Sequence, residues 1–389
     1  MNIQKKKKIL VLGGNLRNKG AWLMTDVLIK KIITNHEIFF LTPFKEDLEE
    51  FKKYYSNYDI KKVLLWDPKG IIITFLKLPL KKFYKNPIND VFKEVDFVVD
   101  ISGIVFVEKR GFFYLIYNSL ITLIPFYYKK KIIKLPQAFG PIDSYYYLKV
   151  AKFVLNKCGL IFSRGRSSSE TLKKLKINYF ESTDIGFFND AKKKAFFNQS
   201  AKIVALSPSV IVSKKFKNQE VSYLEFLNKL IHNLITNNFE VLIFPNSSSK
   251  KNYKSNFNDL SICLKLDQLF NNNNSVKIYI DDLNPEEIEN IIVNSDIIIS
   301  SRFHSMVVGL NNNVVPIVLG WNSKYIEVLK EFDLENNYIE DFENLDNLII
   351  NINHLISCFE SDYKKIENNL KIHKNKLQIV TDEINKFIQ

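Results

Sequence analysis

Cysteine is scarce: three residues in 389, at Cys158, Cys263 and Cys358. They lie far apart and lack metal-ligand spacing, so a disulfide framework and a zinc site are both excluded, and free thiols in a reducing compartment are expected. Histidine numbers five, and only His304 stands among other candidate functional residues. No pair of carboxylates is spaced to chelate a metal. Asp281 and Asp282 are adjacent, and neighbours on a strand point to opposite faces. Long apolar runs are also few. The lysine-rich start, Met1 to Lys8, is followed by an apolar run that ends at Leu12, too short for a signal peptide or a span. A cytoplasmic protein is expected. The aromatic run 112–128 approaches the ~20 residues of a span, but Asn118 and Pro125 interrupt it and it falls between two expected strands. No repeat occurs at solenoid periods.

Acidic residues are outnumbered, 42 against 55 basic, for a formal charge of +13. The lysines are spread along the chain and no nucleic-acid module is present, so no nucleic-acid partner is expected. Anionic substrates and an anionic membrane surface suit the charge better. Enrichment in Lys and Asn through coding bias is the plain alternative. Residues 71–87 and 112–128 mix aromatic, apolar and basic character and are the candidate membrane-facing surfaces. For 112–128 the plain alternative is a buried helix.

What is present is an alternation of short apolar runs with helical segments, the pattern of parallel α/β sheets. We expect two Rossmann-like, doubly wound domains facing a cleft. The first covers 1–185, and a linker follows over 186–200. The second covers 201–350, and helices over 351–389 pack across the domains. Glycine is scarce, twelve in all, so Gly13, Gly14 and Gly20 in one loop mark a backbone with special needs. Strand, glycine loop and helix form a phosphate- or sugar-binding turn, although the spacing excludes both the dinucleotide fingerprint and the P-loop. Asp100, at a strand end, is read as a cap of the next turn. Pro136-Gln137-Ala138-Phe139-Gly140-Pro141 reads as a rigid loop. There Gln137 either meets a sugar hydroxyl or ties down the loop. Arg164 ends another strand, and Ser167, Ser168 and Ser169 are expected to cap the helix after it.

The stretch 296–325 is the most informative. Ile297 to Ile299 reads as a strand buried on both faces. Ser300 or Ser301 is expected to cap the helix that follows, and Val314 to Leu319 reads as the next strand. Arg302, His304 and Lys324 then share the carboxyl edge of a parallel sheet, where ligands bind. A guanidinium, an imidazole, an ammonium and a helix N-terminus converging there describe an anion site. Ser207 and Ser209 end a strand on the same edge and are further candidate donors.

The run Ser301-Arg302-Phe303-His304-Ser305-Met306, with Val315-Pro316-Ile317-Val318-Leu319 and Lys324 after it, resembles the C-terminal signature of the polysaccharide pyruvyl transferase family. Asn15, Asn18 and Gly20 match its first motif, and the element around Gln137 and the strand ending in Arg164 agree in order. The family's glycine run near residue 103 is reduced here to Gly103. The resemblance implies a fold like that of B-type glycosyltransferases, and transfer of pyruvate from phosphoenolpyruvate to sugar hydroxyls as a ketal. No cofactor is required. It further implies a lipid-linked sugar acceptor and peripheral contact with the inner membrane face. In that scheme Arg302 and Arg164 hold the anion, Lys324 helps phosphate leave, and His304 is the general acid/base. His304 as a structural residue holding the Arg302 turn stays open. So do a nucleotide-sugar glycosyltransferase, with Glu327 as the ribose ligand, and a non-catalytic glycan-binding protein.

Overall fold

The computed structural model describes residues 6–66, 74, 76, 87–189, 202–248, 258–322 and 324–388. Most of the candidate surface 71–87 and most of the expected linker therefore lie outside the described residues. The chain forms two compact units: Met1–Leu16 with Met24–Phe188 and His373–Gln389, and Arg17–Leu23 with Asn189–Ile372.

The first unit is built on a parallel sheet. Its strands are β1 (Lys8–Leu12), β2 (Glu37–Thr42), β3 (Ile60–Leu65), β4 (Phe97–Asp100), β5 (Ile104–Val105), β6 (Lys131–Phe139), β7 (Leu160–Arg164) and β8 (Phe180–Ser182). The order is β3-β2-β1-β4-β6-β7-β8, with β5 paired to the far end of β6. Apolar runs such as Ile9 to Leu12 are buried because helices cover both sheet faces. Strand β6 runs on through Pro136 and Gln137, where a rigid loop was expected. Pairing with β5 extends it, and a register shift between Lys134 and Gln137 accommodates the proline that cannot donate. The serine cap expected at 167–169 is absent. Gly165, at φ +78, lets the helix Arg166–Leu175 begin at once, and Ser168 and Ser169 turn inward to Phe139 N and Ser163 Oγ.

The helix Phe112–Tyr127 buries Leu115, Leu120, Ile121 and Ile124 in the apolar core, which confirms the buried-helix reading for its inner face. Among the described residues no helix is long and apolar enough to cross a membrane. The final helix, Phe359–Ile388, adds its last part to this unit. There Thr183 Oγ1 and His373 Nδ1 lie 2.7 Å apart, and Phe387 packs on Gly159 and the Phe97 ring.

The second unit has β9 (Lys202–Ser207), β10 (Phe239–Ile243), β11 (Val276–Ile278), β12 (Ile297–Ser300), β13 (Val315–Leu319) and β14 (Tyr338–Ile339), all parallel, in the order β11-β10-β9-β12-β13-β14. Pro285 opens its helix at the first turn as expected, inside a capping box of Asn284 and Glu287. Segment Arg17–Leu23 belongs here because Leu23 joins a core cluster with Ala205, Phe244, Ile292 and Ile298. In each sheet the strand order reverses beside the first strand, at β1/β4 and at β9/β12, and the carboxyl ends there are where such folds place ligands.

Candidate active site

In the second unit the adjacent strands β9 and β12 end on paired serines, Ser207 and Ser300. The chain turns at once into the helix Phe303–Asn311. The expected serine cap does not form. Arg302 takes the cap position, no side chain caps the helix, and Ser300 Oγ accepts from Arg302 N at 3.0 Å instead. The N-terminus of a helix carries the positive end of its dipole, which favours an anion nearby.

The Arg302 guanidinium is held. Its Nε donates to Asp259 Oδ2 at 2.9 Å and one terminal nitrogen donates to Asp259 Oδ1 at 2.5 Å. Asp259 is fully buried and also accepts from Val210 N and Ser247 N. Burial opposes the charge on Arg302, and the Asp259 carboxylate outweighs it, so the guanidinium sits above its ordinary value. The sequence suggested a fork offered to substrate; the structure commits two of its donors to the protein. Asp259 went unnoticed in the sequence. Its signal was an acid directly before the helix Leu260–Phe270, whose buried Ile262, Cys263, Leu266 and Phe270 recur at helical spacing.

His304 is the second residue of its helix, and its ring lies against Gly20. A Cβ at position 20 would stand 2.0 Å from His304 Nδ1. The Phe303 and His304 rings are perpendicular, with centroids 5.3 Å apart. Lys324 opens the next helix, where Asn322 Oδ1 accepts from its backbone N. Its Nζ lies 4.8 Å from the centre of the Phe303 ring, 5.3 Å from Tyr325 and 5.5 Å from Trp321. Such faces attract an ammonium electrostatically. Trp321 Nε1 and the Tyr325 hydroxyl both donate to the Ser301 carbonyl, which ties this aromatic group to the Arg302 turn.

Asn18 caps its own helix through Gly20 N and Ala21 N, the same stretch that carries Gly20 to His304. Lys19, between them, was missed. It is buried, with Nζ 2.7 Å from Asp282 Oδ1, an oxygen that also accepts from Ser248 Oγ at 2.7 Å. Its place in the Asn-x-Gly element was the available clue. Ser207 Oγ and Ser305 Oγ are buried without a hydrogen-bond partner among the described residues. Ser209 serves its own turn, accepting from Ile211 N and donating its backbone N–H to Tyr223.

The first unit carries the other candidates at its own carboxyl edge. Arg164, expected to face substrate, is buried. It donates to Asp184 Oδ2 at 2.8 Å and to the Gly103 carbonyl at 2.9 Å, pinning three strand ends together. Gln137 is buried and donates to the Asp100 carbonyl. Asp100 caps the turn at Ser102, as read, and in addition pairs with Lys134 at 2.6 Å, fully buried. Asn15 lies half-buried in the loop after β1.

A model of the family described as polysaccharide pyruvyl transferase matches residues 18–323. The chain belongs to the polysaccharide pyruvyl transferase family. Gly20, Gln137, Arg164, Arg302 and His304 fall inside the matched span, while Asn15 and Lys324 lie just outside it. The amylovoran biosynthesis protein AmsJ of Erwinia amylovora is 20% identical over 294 residues, 71% of this chain and 69% of that protein. Among solved structures, the UDP-GlcNAc 2-epimerase of Neisseria meningitidis superposes with a TM-score of 0.56 at 15% identity, covering 97% of this chain and 100% of that one. The Methanocaldococcus jannaschii enzyme of the same name gives 0.56 at 14%, covering 90% and 92%. At these identities the likeness is one of fold. It bears out the expected architecture, a glycosyltransferase-B-like pair of doubly wound units.

Proposed function

We propose that this chain moves the pyruvyl group of phosphoenolpyruvate onto two hydroxyls of a sugar, in the making of a cell-surface polysaccharide or its lipid-linked precursor. One observation carries the reading: His304 and Lys324 gather around Phe303 beside an uncapped helix start, within a chain of this family. His304 delivers a proton to the methylene carbon, and a sugar hydroxyl adds to the adjacent carbon. The bond from that carbon to the phosphate oxygen breaks, and the second hydroxyl closes the ketal. Of the two hydroxyl protons, one is balanced by the new methyl hydrogen and the other leaves with phosphate. Lys324 and the helix N-terminus offset the charge on the departing phosphate. Arg302, fixed on Asp259, holds the turn at the same strand end in place. Arg164 and Gln137 shape the corresponding edge of the first unit. No cofactor or metal is invoked, and the reaction is placed in the cytoplasm, where phosphoenolpyruvate is made.

The test is to incubate the chain with phosphoenolpyruvate and a panel of lipid-linked and nitrophenyl sugars. Acceptor-dependent phosphate release and a pyruvyl mass increment are expected, and both should be lost in His304→Gln and Lys324→Met. Thermal stabilisation by uridine or guanosine diphosphate without any by phosphoenolpyruvate would overturn the reading in favour of a nucleotide-sugar enzyme.

A further inference from the structure

The helices Phe112–Tyr127 and Tyr145–Leu155 lie side by side on the first unit. Their starts are joined by Glu108, whose carboxylate accepts from Asp143 N and Ser144 N. Their ends are joined by Lys157, whose Nζ lies 5.1 Å from the centres of both the Phe126 and Phe153 rings. The inner faces supply Leu115, Ala151, Val154 and Leu155 to one core cluster. The outer faces are the unusual part. Phe113 is 87% exposed, Tyr146 78%, and Phe112 and Tyr145 62% each. With Phe126, Tyr127 and Phe153 they are all of the exposed Phe, Tyr and Trp side chains among the described residues. Aromatics concentrated on one surface, when none is exposed elsewhere, mark a face that meets something apolar.

Charge identifies what it meets. Neither helix contains an Asp or Glu. Lys149 and Lys152 stand among the aromatics of the second helix, and Arg110, Lys129 and Lys157 flank the pair. Two carboxylates border the helices in sequence: Glu108 is held on the two backbone N–H groups, and Asp143 lies 3.6 Å from Lys174. Exposed aromatic rings interspersed with cations, on two helices that carry no acidic residue of their own, suit a negatively charged bilayer surface.

We propose that this two-helix face rests on the surface of an anionic lipid bilayer, with Phe112, Phe113, Tyr145 and Tyr146 in the headgroup layer and the lysines on lipid phosphates. The chain lies on the membrane and does not cross it. The proposal is independent of the pyruvyl transfer reading, since neither the rings nor the lysines belong to the candidate site.

Flotation of the full chain with vesicles of phosphatidylcholine, with and without phosphatidylglycerol, tests it. Binding should require phosphatidylglycerol and weaken as salt is raised. Phe113→Ser with Tyr146→Ser should weaken binding by at least about tenfold, as expected for two large apolar side chains withdrawn from the interface. Lys149→Glu with Lys152→Glu should abolish the preference for anionic lipid, and this pair decides the matter should the first variant misfold. Absence of vesicle binding, or binding unchanged in both variants, would overturn the proposal. So would a wild-type dimer in gel filtration that Phe113→Ser with Tyr146→Ser converts to monomer, because the face would then cover a second copy.

Discussion

The imidazole of His304 rests on Gly20, so close that no side chain fits between them. Two motifs far apart along the chain thus form one contact, in which a residue without a Cβ lets the ring reach its position. Lys324, on the neighbouring Phe303 face, completes the group.

Gly20→Ala places a methyl carbon 2.0 Å from Nδ1 and must move the ring. Alanine favours a helix over glycine by about 0.5–1 kcal/mol, so propensity gives no reason for instability. A folded variant with phosphate release reduced by about a hundredfold is expected, the usual cost of a misplaced proton-transfer group. Circular dichroism and a phosphoenolpyruvate-dependent phosphate assay check both halves, and full activity would remove His304 from the chemistry.

Asp100 and Lys134 form an ion pair with both side chains about 1% exposed. Burial alone would raise the Asp100 carboxyl, and Lys134 outweighs it, so the folded value lies below the ordinary one. The pair's contribution is therefore present above the unfolded carboxylate range and is lost as pH falls through the folded value. Lys134→Met leaves burial opposed only by the Ser102 hydrogen bonds, and burial is the largest influence, so the sign is expected to reverse: the variant is stabilised by acid. At neutral pH a loss of about 3–5 kcal/mol is expected, with much of it restored by adding Asp100→Asn. Urea unfolding across pH measures both effects.

His373 is buried against Thr183 and the Phe187 ring, with centroids 4.8 Å apart. Burial first, then Lys376 and Lys374, lower its pKa from 6.5 to about 3. A depressed histidine stabilises the fold fully above the unfolded value and progressively less below it. Stability should fall by about 1.4 kcal/mol per pH unit between 6.5 and 3 from this group alone. His373→Gln should flatten that part of the profile, and equal slopes in both proteins would disprove it.

The parallel sheets were legible because their strands are short apolar runs separated by helical periodicity, as at Ile297–Ile299 and Val315–Leu319. Local rules failed where a distant partner intervened. Strand β6 continues through Pro136 because β5 extends its edge. Serines near the starts of two helices turned inward because Gly165 and Arg302 take the cap positions. The arginines were recognised as residues at strand ends, but not as paired ones. Asp259 and Asp184 lie 43 and 20 residues away along the chain, and no spacing announces them.

By itself the sequence determined the family, the alternating architecture and which residue types stand at the strand ends. These depend on local pattern and on motifs that survive in one dimension. Only the tertiary structure decided that Gly20 backs His304, that Lys324 lies on aromatic faces, and that both arginines are anchored to buried carboxylates. Such pairings depend on which strand ends come together once the sheets are wound, and that order is a property of packing, not of neighbours along the chain.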